Sequence, residues 1–342
     1  MNVNETGVCV IVAAFNAQDT VGRAVQSALA QDQVREVIVV DDASHDDTAH
    51  RARQQDDGSG RLAVVTMAEN SGPAAARNAA IERSTSPLVC TLDADDYFLP
   101  TRMSQLLVAA DFGAWDLIAD DILIVPEDQK NSGFSVVNAT PPAPCKTLDL
   151  ESFVRGNISD PRRPRDELGF LKPIIKRRFL QQHGLRYDER LRLGEDYALY
   201  TRALIAGARF GLANACGYIA IERRNSISAR HSAGDLEKIV AFDDECLANK
   251  PSLSRPERTA FAAHRMATQE KYDYRTVLDR KRDRGLFAAL ALLATRPASI
   301  PYIAGETIRA KARSVRGDKA PQPGFRFLIG MPGTSLSLSG DQ

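Results

Sequence analysis

The chain has 342 residues, 44 Lys and Arg against 44 Asp and Glu, and 44% apolar residues. That is one large domain or about two, with enough apolar residues for a sizeable core; the zero net charge argues against a nucleic-acid-binding protein, whose domain would be basic. No apolar stretch approaches the ~18 residues of a membrane span, and residues 1–7 lack a basic-then-apolar secretory pattern. Cys9, Cys90, Cys145, Cys216 and Cys246 form no CxxC pair, which leaves out a zinc ribbon and points to a reducing compartment, the cytoplasm.

The first 125 residues alternate short apolar runs with amphipathic segments. The runs are Val8–Ala14, Glu36–Val40, Leu62–Met67, Leu88–Leu92 and Asp116–Ala119. They are rich in Val and Ile and nearly continuous, as strands buried on both faces are. Thr20–Ala30, Asp46–Gln55 and Pro73–Arg83 fill three of the gaps as helices, the last with Pro at the first helical position. This alternation predicts an α/β fold with a mostly parallel sheet. Residues 126–148 read as an irregular surface excursion, Leu148–Arg155 as a helix and Glu195–Ile205 as another. Short strands are expected in Arg209–Ile221, a charged helical region from Ala233 to Arg284, and a loose Gly-, Pro- and Ser-rich tail over 318–342.

Ligands of an open parallel sheet bind beyond the carboxyl ends of its strands. There the chain places Asn16 after the first run, Asp41 and Asp42 after the second, Asp93, Asp95 and Asp96 after the fourth, and Asp120 and Asp121 after the fifth. Strand one leads into AAFNAQD, without the GxGxxG or GxxxxGK[ST] glycines that bring backbone against phosphates. A nucleotide would therefore be held by carboxylates at its base or ribose, and its phosphates through a metal. The DADD cluster at 93–96 is suited to holding that metal, since adjacent like charges favour a cation between them and hard oxygens suit Mg²⁺ or Mn²⁺. Alone, the same cluster reads as a solvated cap for a helix starting near Thr101. In line with Asn16 and Asp41 the metal reading is the better one.

VCVIVAAFN (8–16), EVIVVDDASHDDT (36–48), ENSGPAAARNAAIE (69–82), LDADDYFLP (92–100) and LRLGEDYALYTRAL (191–204) together resemble the family-2 glycosyltransferases over roughly residues 5–225. Among members the chain is most similar to the bacterial exopolysaccharide glucosyltransferases of the succinoglycan type. Ala14 and Phe15 stand where many members show Pro and Tyr, and DDAS where many show DDGS. The resemblance implies a GT-A fold with a C-terminal helical extension. It implies an inverting enzyme that moves a sugar, glucose in the suspected subgroup, from a UDP-sugar to a glycan or lipid-linked oligosaccharide, with Mn²⁺ or Mg²⁺ as cofactor. Position by position, it puts Asp41 or Asp42 on the uracil or ribose and Ala13 and Asn16 along the same pocket. Arg77 faces the base or diphosphate, and Asn78 is structural. Asp95 is the direct metal ligand, with Asp93 on the metal or ribose. Asp196 is the catalytic base and Glu195 positions it. His231 is a further metal or phosphate contact, against the plain alternative of a surface residue, and Arg230 a diphosphate clamp, against that of a solvated basic loop.

Residues 278–317 carry nine Lys and Arg against three Asp and Glu, a local charge of +6 that leaves −6 on the remainder. The apolar core within Arg284–Ala294 is flanked on both sides by basic residues. It suits either an anionic membrane surface, the inner face of the plasma membrane, or a helix buried on the catalytic domain. The expected organisation is a catalytic domain at 1–230, with a nucleotide-sugar half at 1–125 and an acceptor half at 126–230, then a helical basic extension at 231–317 and a flexible tail at 318–342. The rival functions are a nucleotidyltransferase, which the missing glycine loop disfavours, and a non-catalytic sugar-nucleotide binder, for which Glu195-Asp196 would have no use. A phospho-acceptor signalling domain would leave residues 150–310 unexplained.

Overall fold

A computed structural model describes residues 6–110, 114–138, 145–159, 167–223, 231–249, 253–316, 324–331 and 334–338. In chain order the elements are β1 (Val8–Ala14), α1 (Val21–Leu29), β2 (Val34–Asp41), α2 (Thr48–Arg53), β3 (Leu62–Thr66), α3 (Pro73–Arg83), β4 (Leu88–Thr91), β5 (Tyr97–Phe98), α4 (Arg102–Ala109) and β6 (Leu117–Pro126). There follow β7 (Phe134–Val137), β8 (Lys146–Thr147), α5 (Leu150–Arg155), β9 (Ile174–Lys176), α6 (Arg177–Gln182), α7 (Glu195–Ile205), β10 (Phe210–Glu222), α8 (Ala233–Asn249), α9 (Arg255–Ala294), α10 (Ile300–Arg316), β11 (Arg326–Phe327) and β12 (Ser335–Leu338). Two compact units result. The first holds residues 1–153, 165–224 and 324–342, and the second 154–164 and 225–323.

The main sheet of the first unit runs β3-β2-β1-β4-β9-β6-β10-β5. The β3-β2-β1-β4 and β6-β10 neighbours are parallel, and β9 joins the two groups antiparallel to both β4 and β6. The five predicted runs all form strands, and the segments predicted as helices near 20–30, 46–55, 73–83 and 195–205 form α1, α2, α3 and α7. β-Branched residues explain the strands: Val8, Val10, Val12, Val37 and Val39 are all fully buried. Four parallel strands end on one edge, which brings the loops after β1, β2 and β4 together.

The β1 and β2 loops are laced into one rim. Asn16 N–H donates to Ser44 Oγ at 2.9 Å, His45 N–H to Asn16 Oδ1 at 2.9 Å, and Ala17 N–H to Thr48 Oγ1 at 2.7 Å. Asn16 and Ala43 both adopt positive φ, 50° and 59°. Asn tolerates that region, whereas for Ala it is strained backbone held by the surrounding bonds.

Three expectations are corrected. The fifth strand does not stop before Asp120: the apolar ILIV that follows carries β6 on to Pro126, so Asp120 and Asp121 lie buried inside the sheet rather than on its rim. The irregular stretch at 126–148 contains β7, which pairs with β12, and β8, which pairs with β10. The tail is not loose where it is described. Arg326–Phe327 pair with β6, Arg326 meets Glu222 at 2.8 and 3.1 Å, and Leu328 is buried. Asp121 anchors this strap by accepting the N–H groups of Ile329, Gly330 and Met331 at 2.9, 2.8 and 3.1 Å. A segment rich in turn-forming residues reads as flexible, but a buried carboxylate with four backbone donors, Ile122 N–H included, fixes it.

In the second unit, Ser254 and Glu257 form a capping box at the start of α9, and Gly285 breaks the helix with φ 82°. Val277, Ala289 and Ile303 make a small core with Tyr274, Leu292, Leu293 and Tyr302 packed on it. The other face of the same apolar run is exposed: Leu286, Leu290 and, at 89% exposure, Phe287. No single helix among the described residues is long and apolar enough to cross a membrane.

Candidate active site

Helix α7 begins with two carboxylates, where the helix dipole favours negative charge. Tyr197, Ala198, Leu199, Tyr200, Thr201 and Ala203 along it are also buried, so the helix sits deep and carries Glu195 and Asp196 in with it, 8% and 7% exposed. Two buried cations meet them. Arg77, on α3, donates from Nη1 to Glu195 Oε1 at 2.5 Å and from Nη2 to Asp93 Oδ1 at 2.9 Å, and its Nη1 lies 3.6 Å from Asp196 Oδ1. Lys172, just before β9, places Nζ 2.7 Å from Asp196 Oδ2 and 3.2 Å from Asp93 Oδ2. Asp93 and the candidate base Asp196 thus share the same two cations, although 103 positions separate them in the chain.

The electrostatics follow from these contacts. Burial works against charge on Arg77 and Lys172, but the facing carboxylates outweigh it and hold both cations firmly protonated. Burial pushes the Asp93 carboxyl up, and Lys172 and Arg77 more than reverse this, so it ends below the usual range. For Asp95 burial and the Asp93 charge prevail and push it up, against Arg223, whose Nε lies 3.6 Å from Oδ2, and a weaker pull from Lys172. Asp96 is pushed well up by burial and by Asp95 and Asp93. Its oxygens accept from the Tyr218 hydroxyl and Ile221 N–H, both at 2.8 Å, so it is a structural residue. Beside Asp93 and Lys172 lies a cavity of about 60 Å³, walled also by Phe170, Tyr218 and Leu328 of the strap.

The residues expected at the site fall as follows. Arg77, expected to face the base or diphosphate, has its guanidinium among three carboxylates, Asp93, Glu195 and Asp196. Asp93, expected on the metal or ribose, has Oδ1 2.9 Å from Arg77 Nη2 and Oδ2 3.2 Å from Lys172 Nζ. Asp42, expected on the uracil or ribose, accepts Ser71 N–H and Gly72 N–H, each at 2.8 Å, and so fixes the entry to α3. Gly72 has φ 90° and ψ 167°, a conformation open essentially to glycine alone. Asp41 accepts Ser44 N–H at 3.1 Å through Oδ1, and Oδ2 has no hydrogen-bond partner among the described residues. Ala13 and Asn16 stand beside it at the end of β1. Asn78 is structural, exchanging hydrogen bonds with the Tyr187 backbone at 2.9 and 3.0 Å. His231 belongs to the second unit, and Arg230 lies outside the described residues.

Two buried cations at the site carry no mark in the sequence. Lys172 in FLKPII belongs to no motif. Arg102, 1% exposed, pairs with Asp120 at 2.8 Å and donates to the Lys172 carbonyl at 2.6 Å. It sits so close to β10 that a Cβ on Gly217 would lie 2.6 Å from its own Cβ, so that position needs glycine. The apolar ILIV after Asp121 is the available signal that Asp120 is buried and needs a cation.

A divalent cation is implied by the fold, and its fit can be judged from the donors present. Among the described residues no three His, Cys, Asp or Glu side chains gather as a metal cage. Asp95 offers a carboxylate in a locally acidic setting beside Asp93, with the Arg223 guanidinium 3.6 Å from its Oδ2. Mg²⁺ and Mn²⁺ are commonly held by one or two carboxylates with water and substrate phosphates completing the shell, and a single Asp95 fits that mode.

Residues 9–136 match the family model "Glycosyl transferase family 2". The chain is 46% identical over 318 residues to the succinoglycan biosynthesis protein ExoU of Rhizobium meliloti, covering 93% of this chain and 92% of that protein. A shorter match, 36% over 99 residues, covers 29% of this chain and 39% of the Escherichia coli UDP-Glc:alpha-D-GlcNAc-diphosphoundecaprenol beta-1,3-glucosyltransferase WfaP. The crystal structure of S. aureus TarS 1-349 in complex with UDP-GlcNAc superposes with a TM-score of 0.57 over 84% of this chain and 90% of that one, at 19% identity. Identity of this level to ExoU, across nearly the whole of both chains, settles the family: this chain belongs to glycosyl transferase family 2 and is a glycosyltransferase built on the GT-A fold.

Proposed function

We propose that the protein is an inverting hexosyltransferase that moves glucose from UDP-glucose to a hydroxyl of a growing, lipid-linked exopolysaccharide precursor. One arrangement supports this above all: Asp93, at the sugar-nucleotide rim, and Asp196, a buried carboxylate at a helix N-terminus, are held together by Arg77 and Lys172. A binder without chemistry has no need of a second carboxylate there. The names of ExoU and WfaP support the exopolysaccharide pathway, the UDP-glucose donor and the lipid-linked acceptor, and the TarS complex supports a UDP-sugar.

In this reaction the acceptor hydroxyl attacks the anomeric carbon from the face opposite the UDP. Asp196 takes the hydroxyl proton, the bond from the anomeric carbon to the diphosphate oxygen breaks with its electron pair, and UDP leaves. One displacement inverts the centre. Asp41, Ala13 and Asn16 face the nucleotide, and Glu195 fixes Arg77 beside Asp93 and Asp196. Mn²⁺ or Mg²⁺, held by Asp95, would supply positive charge to the leaving diphosphate.

The test is donor hydrolysis by the purified full chain with Mn²⁺, across UDP-, GDP- and dTDP-sugars. UDP-glucose should be turned over fastest. Turnover of GDP- or dTDP-sugars in preference to every UDP-sugar, or of no donor at all, would overturn the proposal.

The lipid-linked acceptor also accounts for the second unit's exposed apolar face. Leu286, Phe287 and Leu290 follow directly on Arg280, Lys281, Arg282 and Arg284, as expected of a helix seated at an anionic surface on the cytoplasmic side. The full chain should float with liposomes containing phosphatidylglycerol, and replacing Phe287 and Leu290 by Ser should leave it in the soluble fraction. Equal flotation of both proteins would remove the role of this face.

A further inference from the structure

We propose that Lys172 is a positioning residue for the transfer step: it grips one oxygen of the base Asp196, leaves the other to receive the acceptor's proton, and ties the base to the donor side through Asp93. This inference rests on Asp196 being the base.

The two oxygens of Asp196 are held unequally. Oδ2 receives the 2.7 Å bond from the Lys172 ammonium. At Oδ1 the Tyr200 hydroxyl stands at 3.4 Å and Arg77 Nη1 at 3.6 Å. The Tyr187 hydroxyl also reaches this carboxylate. A base needs one accessible lone pair and a fixed orientation, and a short charge-assisted bond to the far oxygen supplies the second without consuming the first.

Lys172 is itself fixed more tightly than a neutralising surface lysine would be. It is 4% exposed. Its carbonyl accepts from Arg102 Nη2 at 2.6 Å, and the preceding Leu171 carbonyl lies 3.1 Å from the Tyr200 hydroxyl. Pro173 follows, restricting the Lys172 backbone to extended conformations. β9 then runs between β4 and β6, so the residue leads into a strand clamped on both sides. Lysine is well matched to this position. Its three donors on one compact centre can serve Asp196 and Asp93 at once and leave one over, beside a cavity that Lys172 lines.

A base held out of line by about 1 Å loses on the order of 10²-fold in rate. Lys172→Met in the full chain should therefore lower kcat by ~10²-fold while the calorimetric affinity for UDP stays within about threefold. Lys172→Arg should recover most of the loss. Lys172→Ala should regain at least about tenfold in kcat with added ethylammonium chloride, and nothing with ethanol or with sodium chloride at equal ionic strength, because the returned group must carry both charge and N–H donors. Wild-type kcat in Lys172→Met would overturn the inference. So would a loss matched by weakened UDP binding that neither Arg nor ethylammonium restores, since that is the signature of a merely structural lysine. Asp196→Asn separates this from the underlying reading: an active Asp196→Asn removes the base itself, whereas an inactive one beside a fully active Lys172→Met removes only the role of Lys172.

Discussion

Asp196→Asn should lower glycosyl transfer by ~10²–10⁴-fold, the usual contribution of a general base, with the affinity for UDP unchanged. The substitution is nearly isosteric. An amide oxygen can still accept from Lys172, so the local packing and the Arg77–Glu195 pair at 2.5 Å should persist. What the amide cannot do is take a proton at neutral pH. Loss of rate without loss of nucleotide binding is therefore specific to the base role, and the two are measured separately by UDP release under saturating donor and by calorimetry with UDP. Near-normal turnover in this variant would remove Asp196 from the mechanism. A parallel fall in UDP affinity would instead make it a donor-binding group.

Arg102→Met should cost about 3–5 kcal/mol of folding stability, the penalty for leaving a buried carboxylate without its cation. The side chains of Arg102 and Asp120 are 1% and 2% exposed, so water cannot replace the lost partner. The guanidinium also lies over the rings of Phe98 and Tyr218, 4.6 and 5.3 Å from their centroids, and holds the Lys172 carbonyl, so both packing and site geometry depend on it. Removing both charges as Arg102→Met with Asp120→Asn should recover part of the loss, since Asn can still accept Gly217 N–H, now at 2.7 Å from Asp120 Oδ2, without burying an unpaired charge. Denaturant titration of the single and double variants measures this. A single variant within about 1 kcal/mol of wild type would show that the pair is dispensable.

Much of the sheet is legible in the sequence because strands buried on both faces declare themselves as short Val- and Ile-rich runs, and the Pro73 and Glu195 helix starts are marked by local chemistry. The carboxylates at 93–96 and 195–196 can be named because motif blocks carry them. Their partners cannot. Arg77 reads as facing the nucleotide because a sequence shows a cation but not which of several acids will capture it. Asp42 reads as a ligand contact because nothing local reveals that its oxygens are spent on Ser71 and Gly72. Lys172 is a lone lysine in an apolar segment, and its meaning exists only once β9 is laid between β4 and β6. The C-terminal strap misleads for a similar reason. Its Gly- and Pro-rich composition speaks of weak local preference, while its order comes from the distant Asp121 and Glu222.

The most direct measurement is anomalous diffraction from crystals of the full chain grown with Mn²⁺ and UDP-glucose. The prediction is a manganese peak beside the Asp95 carboxylate, the uracil against Asp41, and the anomeric carbon turned toward Oδ1 of Asp196 with the Lys172 bond to Oδ2 intact. Nucleotide bound away from the ends of β1, β2 and β4, or a sugar whose anomeric carbon faces away from Asp196, would contradict the account.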